Sequence, residues 1–290
     1  MRLGDEDPSG NFIDNTGRGG FGLGGGGGNM LGCLLPLVAS RFGIIGVLVL
    51  LVGYCALNSL GGGGGLLPTG GGPTTSAPAG QSTLDPNTKD VLARVLGSTE
   101  RRWTDLFARS GARYTPTKMI AYSNSGQSGC GTAQAAMGPF YCPTDQSIYL
   151  DPTFFNELST RFGAPGDFAM AYVVAHEVGH HVQNLEGTLD RAQQAQSGAS
   201  RTGGNQIQVG VELQADCYAG VWAANDKNLL EPGDLEEGMR AAEAIGDDTL
   251  QKQTQGRVVP ESFTHGTSAQ RMAALQTGLK SGDPAACKFN

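Results

Sequence analysis

Basic residues are sparse in this chain: 20 Lys and Arg stand against 27 Asp and Glu in 290 residues, a formal net charge of −7. They form no cluster, and aromatics amount to only 7 %. With no basic cluster and little interleaving of aromatics, the sequence argues against a nucleic-acid partner. Apolar side chains are nearly missing from two glycine tracts. Of the 46 glycines, 24 lie in the first 80 residues, including the runs at 24–28 and 61–65. Such stretches have too little apolar surface to offset chain entropy and are expected to be flexible, so the core must come from about residue 84 onward.

Charge is absent altogether from residues 42–57, the second part of "LGCLLPLVASRFGIIGVLVLLVGYCALNSL" at 31–60. A bilayer core takes roughly 20 predominantly apolar residues in a helix, and Arg41 can snorkel from one end. One membrane-spanning helix is expected here, because the glycine tracts on both sides offer nothing to bury a soluble one. About 40 residues precede the charge-free stretch and no small-residue cleavage site follows it, so it does not read as a removable signal peptide. Arg2, Arg18 and Arg41 precede the run and the next basic residue is Lys89. The positive-inside rule therefore predicts a protein that crosses the membrane once, N-terminus in the cytoplasm and C-terminal domain outside. The resulting layout is a flexible N-terminal segment at 1–30, a transmembrane helix at 31–60, a Gly/Pro/Ser/Thr linker at 61–83 and one folded domain at 84–290.

Four of the six cysteines, Cys130, Cys142, Cys217 and Cys287, fall in that domain, an even number suited to an oxidising compartment. Three pairings are open; nearness in the chain favours Cys130 with Cys142, leaving Cys217 with Cys287. Four reduced, buried thiols in a cytosolic domain would be the alternative. Cys33 and Cys55 lie in the apolar run and are expected simply to pack.

Within the domain, apolar residues from Val91 to Phe107 recur at helical spacing and Gly111 supplies a stop, predicting a helix over about 87–110. Two extended segments, "TKMIAYS" and "QSIYLD", flank a glycine- and serine-rich loop carrying Cys130 and Cys142. Helical patterns follow through Phe162, then over about 167–186 with a stop at Gly187, over about 206–225 after a polar connection, after Pro232-Gly233-Asp234, and over about 267–280. The fold expected is α+β, mostly helical, with a small sheet.

Histidine is scarcer still. Three of the chain's four lie in "AYVVAHEVGHHVQNLEG" (171–187). Residues four apart on a helix stand nearly one above the other, so His176 and His180 present two imidazoles to one cation. Glu177 lies beside that face, placed to take a proton from water rather than to bind the metal. His181 points elsewhere and reads as a surface or packing residue, and Gly179 is tolerable where another backbone approaches closely. Catalytic zinc usually has three protein ligands. A metzincin-type third histidine is ruled out, since the corresponding positions are Gln183 and Glu186. The other common solution is a glutamate from a second helix, and "VELQADCYAGVW" supplies Glu212 as ligand with Asp216 one turn later to accept the Nδ1–H of a ligand histidine. Apolar neighbours bury part of this helix, and a nearby metal removes the cost of a buried carboxylate.

Through "DPTFFNELSTRFGAPGDFAMAYVVAHEVGHHVQNL", "ELQADCYAGVWA", "LEPGDLEEGMRAAEAIGDD" and "SFTHGTSAQR", the chain resembles a bacterial family of predicted neutral zinc metallopeptidases, single-pass membrane proteins. The likeness covers about 84–290 and extends to the glycine-rich N-terminus. It implies a gluzincin-like zincin fold, Zn2+ as cofactor and a peptide or protein substrate, without saying which. In gluzincin-like peptidases a histidine or tyrosine outside the motif hydrogen-bonds the developing oxyanion, and His265 is the candidate here. By fold analogy, "QSIYLD" is expected to offer an exposed sheet edge to an extended substrate. The function expected is a membrane-anchored zinc endopeptidase acting outside the cytoplasm. The rival is a catalytically inactive membrane scaffold stabilised by zinc, which would have no use for Glu177.

Overall fold

We describe the protein from a computed structural model, over residues 1–17 and 81–288. Helix α1, Pro86–Arg109, starts on two local signals: the Asp85 carboxylate accepts the Thr88 N–H, and Pro86 occupies the first turn, where no N–H is needed. Its apolar stripe, with Leu92, Val95, Leu96 and Trp103, enters one large hydrophobic cluster. The rest of that cluster comes mainly from three helices, α3 (Asp167–Leu185), α5 (Arg201–Asn225) and α8 (Ser268–Ser281). Shorter helices complete the set: α2 (Thr153–Thr160), α4 (Thr188–Ser197), α6 (Asp234–Ala244) and α7 (Asp247–Gln255). The polar connection expected before α5 is itself largely helical. It holds α4, and α5 begins at Arg201, its first turn capped by Ser200 accepting the Gly203 N–H.

Helices α5 and α8 touch backbone to backbone. A methyl placed on Gly278 would lie 1.9 Å from the Cys217 carbonyl oxygen, and one on Gly220 would lie 2.2 Å from that of Leu275. Only glycine permits this separation, and it fixes how far the start of α8 reaches toward α5. The disulfides join Cys130 to Cys142 and Cys217 to Cys287.

The main sheet runs β1-β2-β6-β5, with β1 (Phe12–Asp14), β2 (Lys118–Ala121), β5 (Phe140–Cys142) and β6 (Ser147–Leu150). β1, β2 and β6 are parallel and β5 is antiparallel to β6. A separate hairpin, β3 (Ser125–Ser128) with β4 (Gly131–Gln134), occupies the loop that carries Cys130. The expectation for "QSIYLD" is corrected by this order. Its strand β6 has a partner on each side, because a short hairpin folds β5 back onto it, and β5 becomes the edge.

Residues 1–17 also depart from expectation. They are not a loose leader: Phe12, Ile13 and Asp14 pair with Met119, Ile120 and Ala121. Upstream, the Ser9 N–H donates to the Ala93 carbonyl at 2.8 Å, and the Asn11 amide donates to Glu100 at 2.8 Å. Asp14 accepts from Thr16, Ser82 and Lys89. Those bonds more than offset the upward pull of burial and lower its carboxyl to about 2. A three-residue strand in a polar, glycine-rich stretch has no periodicity to betray it. The pairing also bears on topology. A single crossing between residues 17 and 81 would leave β1 and β2 on opposite faces of a bilayer, where they could not share the hydrogen bonds that pair them. The run at 31–60 itself lies outside the described residues. Among the described residues no helix is long and apolar enough to cross a membrane.

Candidate metal centre

Helix α3 carries His176, Glu177 and His180 at the point where α5 crosses it, and Gly179 sets the distance. A methyl at Gly179 would meet the Ala215 carbonyl oxygen at 2.9 Å and its Cα at 3.0 Å. With no side chain there, α5 approaches closely enough for Glu212 to reach the imidazoles. Its Oε2 lies 3.2 Å from His176 Nε2 and 3.5 Å from His180 Nε2. The two rings stand nearly perpendicular, 4.7 Å between centroids. Donors on a tetrahedral zinc lie roughly 3.3 Å from one another, given bonds of about 2.0–2.1 Å. The two distances from Glu212 match that spacing, and all three donor atoms lie within 4.8 Å of one another.

The hydrogen bonds behind the triad leave the right atoms free. His176 Nδ1 lies 2.7 Å from Asp216 Oδ1; a carboxylate only accepts, so Nδ1 carries the proton and Nε2 presents its lone pair. Arg271, from α8, grips Asp216 with both prongs, Nε to Oδ2 at 2.8 Å and Nη2 to Oδ1 at 2.9 Å. The Tyr172 hydroxyl adds a donor to Oδ1 at 2.6 Å. Gln208 donates to the other oxygen of Glu212 at 2.9 Å. Sequence reasoning assigned no role to Arg271, Tyr172 or Gln208; the arginine lies within "SFTHGTSAQR", but its partner is decided by the crossing of α5 and α8.

Electrostatics point the same way. Burial would push the Asp216 carboxyl up, yet Arg271 and His176 hold it at about 2. Burial likewise opposes ionisation of Glu212, but His180 and His176 keep its carboxyl well below the usual range. Burial pulls the His176 imidazole down, and Asp216 and Glu212 more than offset this, raising it to about 10. Glu177 differs: burial dominates and its carboxyl is raised. Three carboxylates, Glu177, Glu212 and Asp216, are buried around one guanidinium; the raised imidazoles of His176 and His180 carry balancing positive charge, which a bound dication would supply in their place. Glu177 Oε2 is buried without a hydrogen-bond partner, and the residue lines the cleft beside the triad.

Over the triad lies a cleft of about 920 Å3. Its lining includes Met137 to Tyr141, which reach into edge strand β5, together with Ile245, Leu250 and His265. His265 is half exposed, and its loop is pinned by Asp247, whose Oδ2 accepts the backbone N–H of Thr264 and of His265, each at 2.7 Å. His181, by contrast, is fully buried between the Thr115 carbonyl at 2.6 Å and the Tyr141 hydroxyl at 3.0 Å, a packing residue.

The family described as "Putative neutral zinc metallopeptidase" matches residues 1–289. The chain is 44 % identical over 269 residues to the uncharacterized protein YpfJ of Escherichia coli strain K12, covering 90 % of this chain and 91 % of that one. It is 48 % identical over 187 residues to the uncharacterized protein Mb2605 of Mycobacterium bovis, covering 60 % of this chain and 62 % of the relative. No solved structure matches the chain.

Proposed function

The chain belongs to this zinc metallopeptidase family, and from that premise we propose that it is an endopeptidase whose zinc is held by His176, His180 and Glu212. The observation that carries the reading is the free, buried Oε2 of Glu177 beside the triad. A protein that kept zinc only for folding would bear the cost of an unpaired buried carboxylate for nothing. When bound, zinc supplies Lewis acidity, polarising a carbonyl and bringing the pKa of water toward about 7.

The chain's own residues supply the rest. Glu177, raised above an ordinary carboxyl by burial, takes a proton from the attacking water and returns it to the leaving amine nitrogen, breaking the peptide C–N bond. His265, which lines the same cleft, donates a hydrogen bond to the developing oxyanion. The unpaired edge of β5 runs along the same cleft and suits an extended peptide added by backbone hydrogen bonds. The architecture is read as zincin-like on the two crossing helices and the edge strand above them. The two disulfides support an oxidising, extracytoplasmic setting. Membrane attachment rests on the composition of 31–60.

The test compares full-length wild type with Glu177→Gln for bound zinc and for cleavage of a mixed peptide library. Equal zinc in both, with cleavage confined to the wild type, is expected. Equal zinc with no cleavage by either protein would leave the scaffold reading in its place.

A further inference from the structure

His176 is braced by a carboxylate, whereas His180 is braced by two neutral amides in series. His180 Nδ1 lies 2.9 Å from Gln183 Oε1. Gln183 Nε2 donates to the Val211 carbonyl at 2.7 Å and to Gln214 Oε1 at 2.9 Å. Gln214 Nε2 in turn donates to the Cys287 carbonyl at 2.8 Å. The direction of this relay is not free. A backbone carbonyl can only accept, so each amide must aim its NH2 at one, Gln183 at Val211 and Gln214 at Cys287. That forces Gln183 Oε1 toward the imidazole, the proton onto Nδ1, and the lone pair onto the Nε2 that faces Glu212.

Gln183 is fully buried, so no water substitutes for a link it loses unless a cavity opens there, whereas Gln214 and Cys287 line a surface cavity of about 490 Å3. The far end of the relay is the carbonyl of Cys287, which is bonded to Cys217. Cys217 follows Asp216 directly on α5. The disulfide therefore fixes the last carbonyl of the His180 relay to the helix that supplies Glu212 and braces His176.

We propose that Gln183 and Gln214 are positioning residues for the metal ligand His180, and that the Cys217–Cys287 disulfide belongs to the same device, so that zinc affinity depends on it. The claim rests on His180 being a zinc ligand. Outer partners of metal ligands typically set affinity by 10–100-fold, and a relay of neutral amides sets orientation without adding charge.

The experiment uses the full chain. Zinc affinity is measured by competition with a chromogenic chelator, and ligand geometry by the visible spectrum of the Co2+-loaded protein. Gln183→Met is expected to weaken zinc binding by about 10–100-fold and to shift the cobalt bands. Gln214→Met, with the disulfide intact, and the double variant Cys217→Ala/Cys287→Ala are both expected to fall between Gln183→Met and wild type. Wild-type affinity and an unchanged cobalt spectrum in Gln183→Met and Gln214→Met would overturn the relay. Loss confined to the glutamine variants would remove the disulfide from it; if the double variant does not fold, zinc affinity before and after reduction by a phosphine, measured on a Cys130→Ala/Cys142→Ala background that leaves Cys217–Cys287 as the one bridge among the described residues, decides that point. A wild type that takes up no zinc would instead overturn the ligand assignment.

Discussion

The backbone of Ala215 occupies the place where a side chain on Gly179 would go, with its carbonyl oxygen 2.9 Å and its Cα 3.0 Å from that position. One residue of α3 thus determines how near α5 comes, and the metal triad is divided between those two helices. Gly179→Ala forces the helices apart or distorts one of them, at a cost of about 1–3 kcal/mol. Denaturant unfolding should show that loss. Zinc affinity should fall as well, because Glu212 moves away from both imidazoles. A variant with reduced stability and wild-type zinc affinity would show that the approach does not set the site.

Arg271 and Asp216 form a buried, two-pronged ion pair. Arg271→Met leaves the carboxylate without its cation and should destabilise the protein by about 3–5 kcal/mol. Adding Asp216→Asn removes the stranded charge while keeping an acceptor for His176, so the double variant should be more stable than Arg271→Met alone. Thermal unfolding of both proteins distinguishes a compensated charge from mere loss of packing, which the second substitution could not repair.

Much of the centre was legible before the fold. The spacing of His176 and His180, and of Glu212 and Asp216, fixes which side chains share a helical face, and that depends only on local geometry. Which helices cross, and how closely, does not. Arg271 reaches Asp216 only because Gly220 and Gly278 let α5 and α8 meet, and nothing in the surroundings of Arg271 announces that partner. Gln214 lay in a quoted motif, yet its role depends on a carbonyl 73 residues away. The sheet was harder still. Two of its strands were readable as extended segments, but the place of β6 between β2 and β5 is a matter of tertiary pairing, and β1 is too short to carry a pattern.

His265 reaches the cleft from a loop and contributes nothing to the triad. His265→Ala should therefore bind zinc like wild type while losing about 10²–10³ in kcat, the size expected when one oxyanion donor is removed. Peptide cleavage under saturating substrate, together with chelator competition, separates these effects. An unchanged kcat would make His265 a residue of the loop rather than of the reaction.

The strand pair β1 with β2 requires residues 1–17 and 81–288 to lie on one side of any membrane. Ile13, on β1, is exposed at 36 % and Met137, beside the cleft, at 57 %, so each tolerates a reporter. Single Ile13→Cys and Met137→Cys variants, in full-length protein with Cys33 and Cys55 replaced by serine, should behave alike toward a membrane-impermeant thiol reagent in intact spheroplasts. Both labelled means that the whole folded unit faces outward, as the disulfides favour, and both protected means that it faces inward; either outcome agrees with the sheet. Labelling of position 137 with protection of position 13 would put a bilayer between two strands that share hydrogen bonds. In that case β1 cannot belong to this sheet in the cell, and the single crossing anticipated from the arginines before residue 42 would be restored.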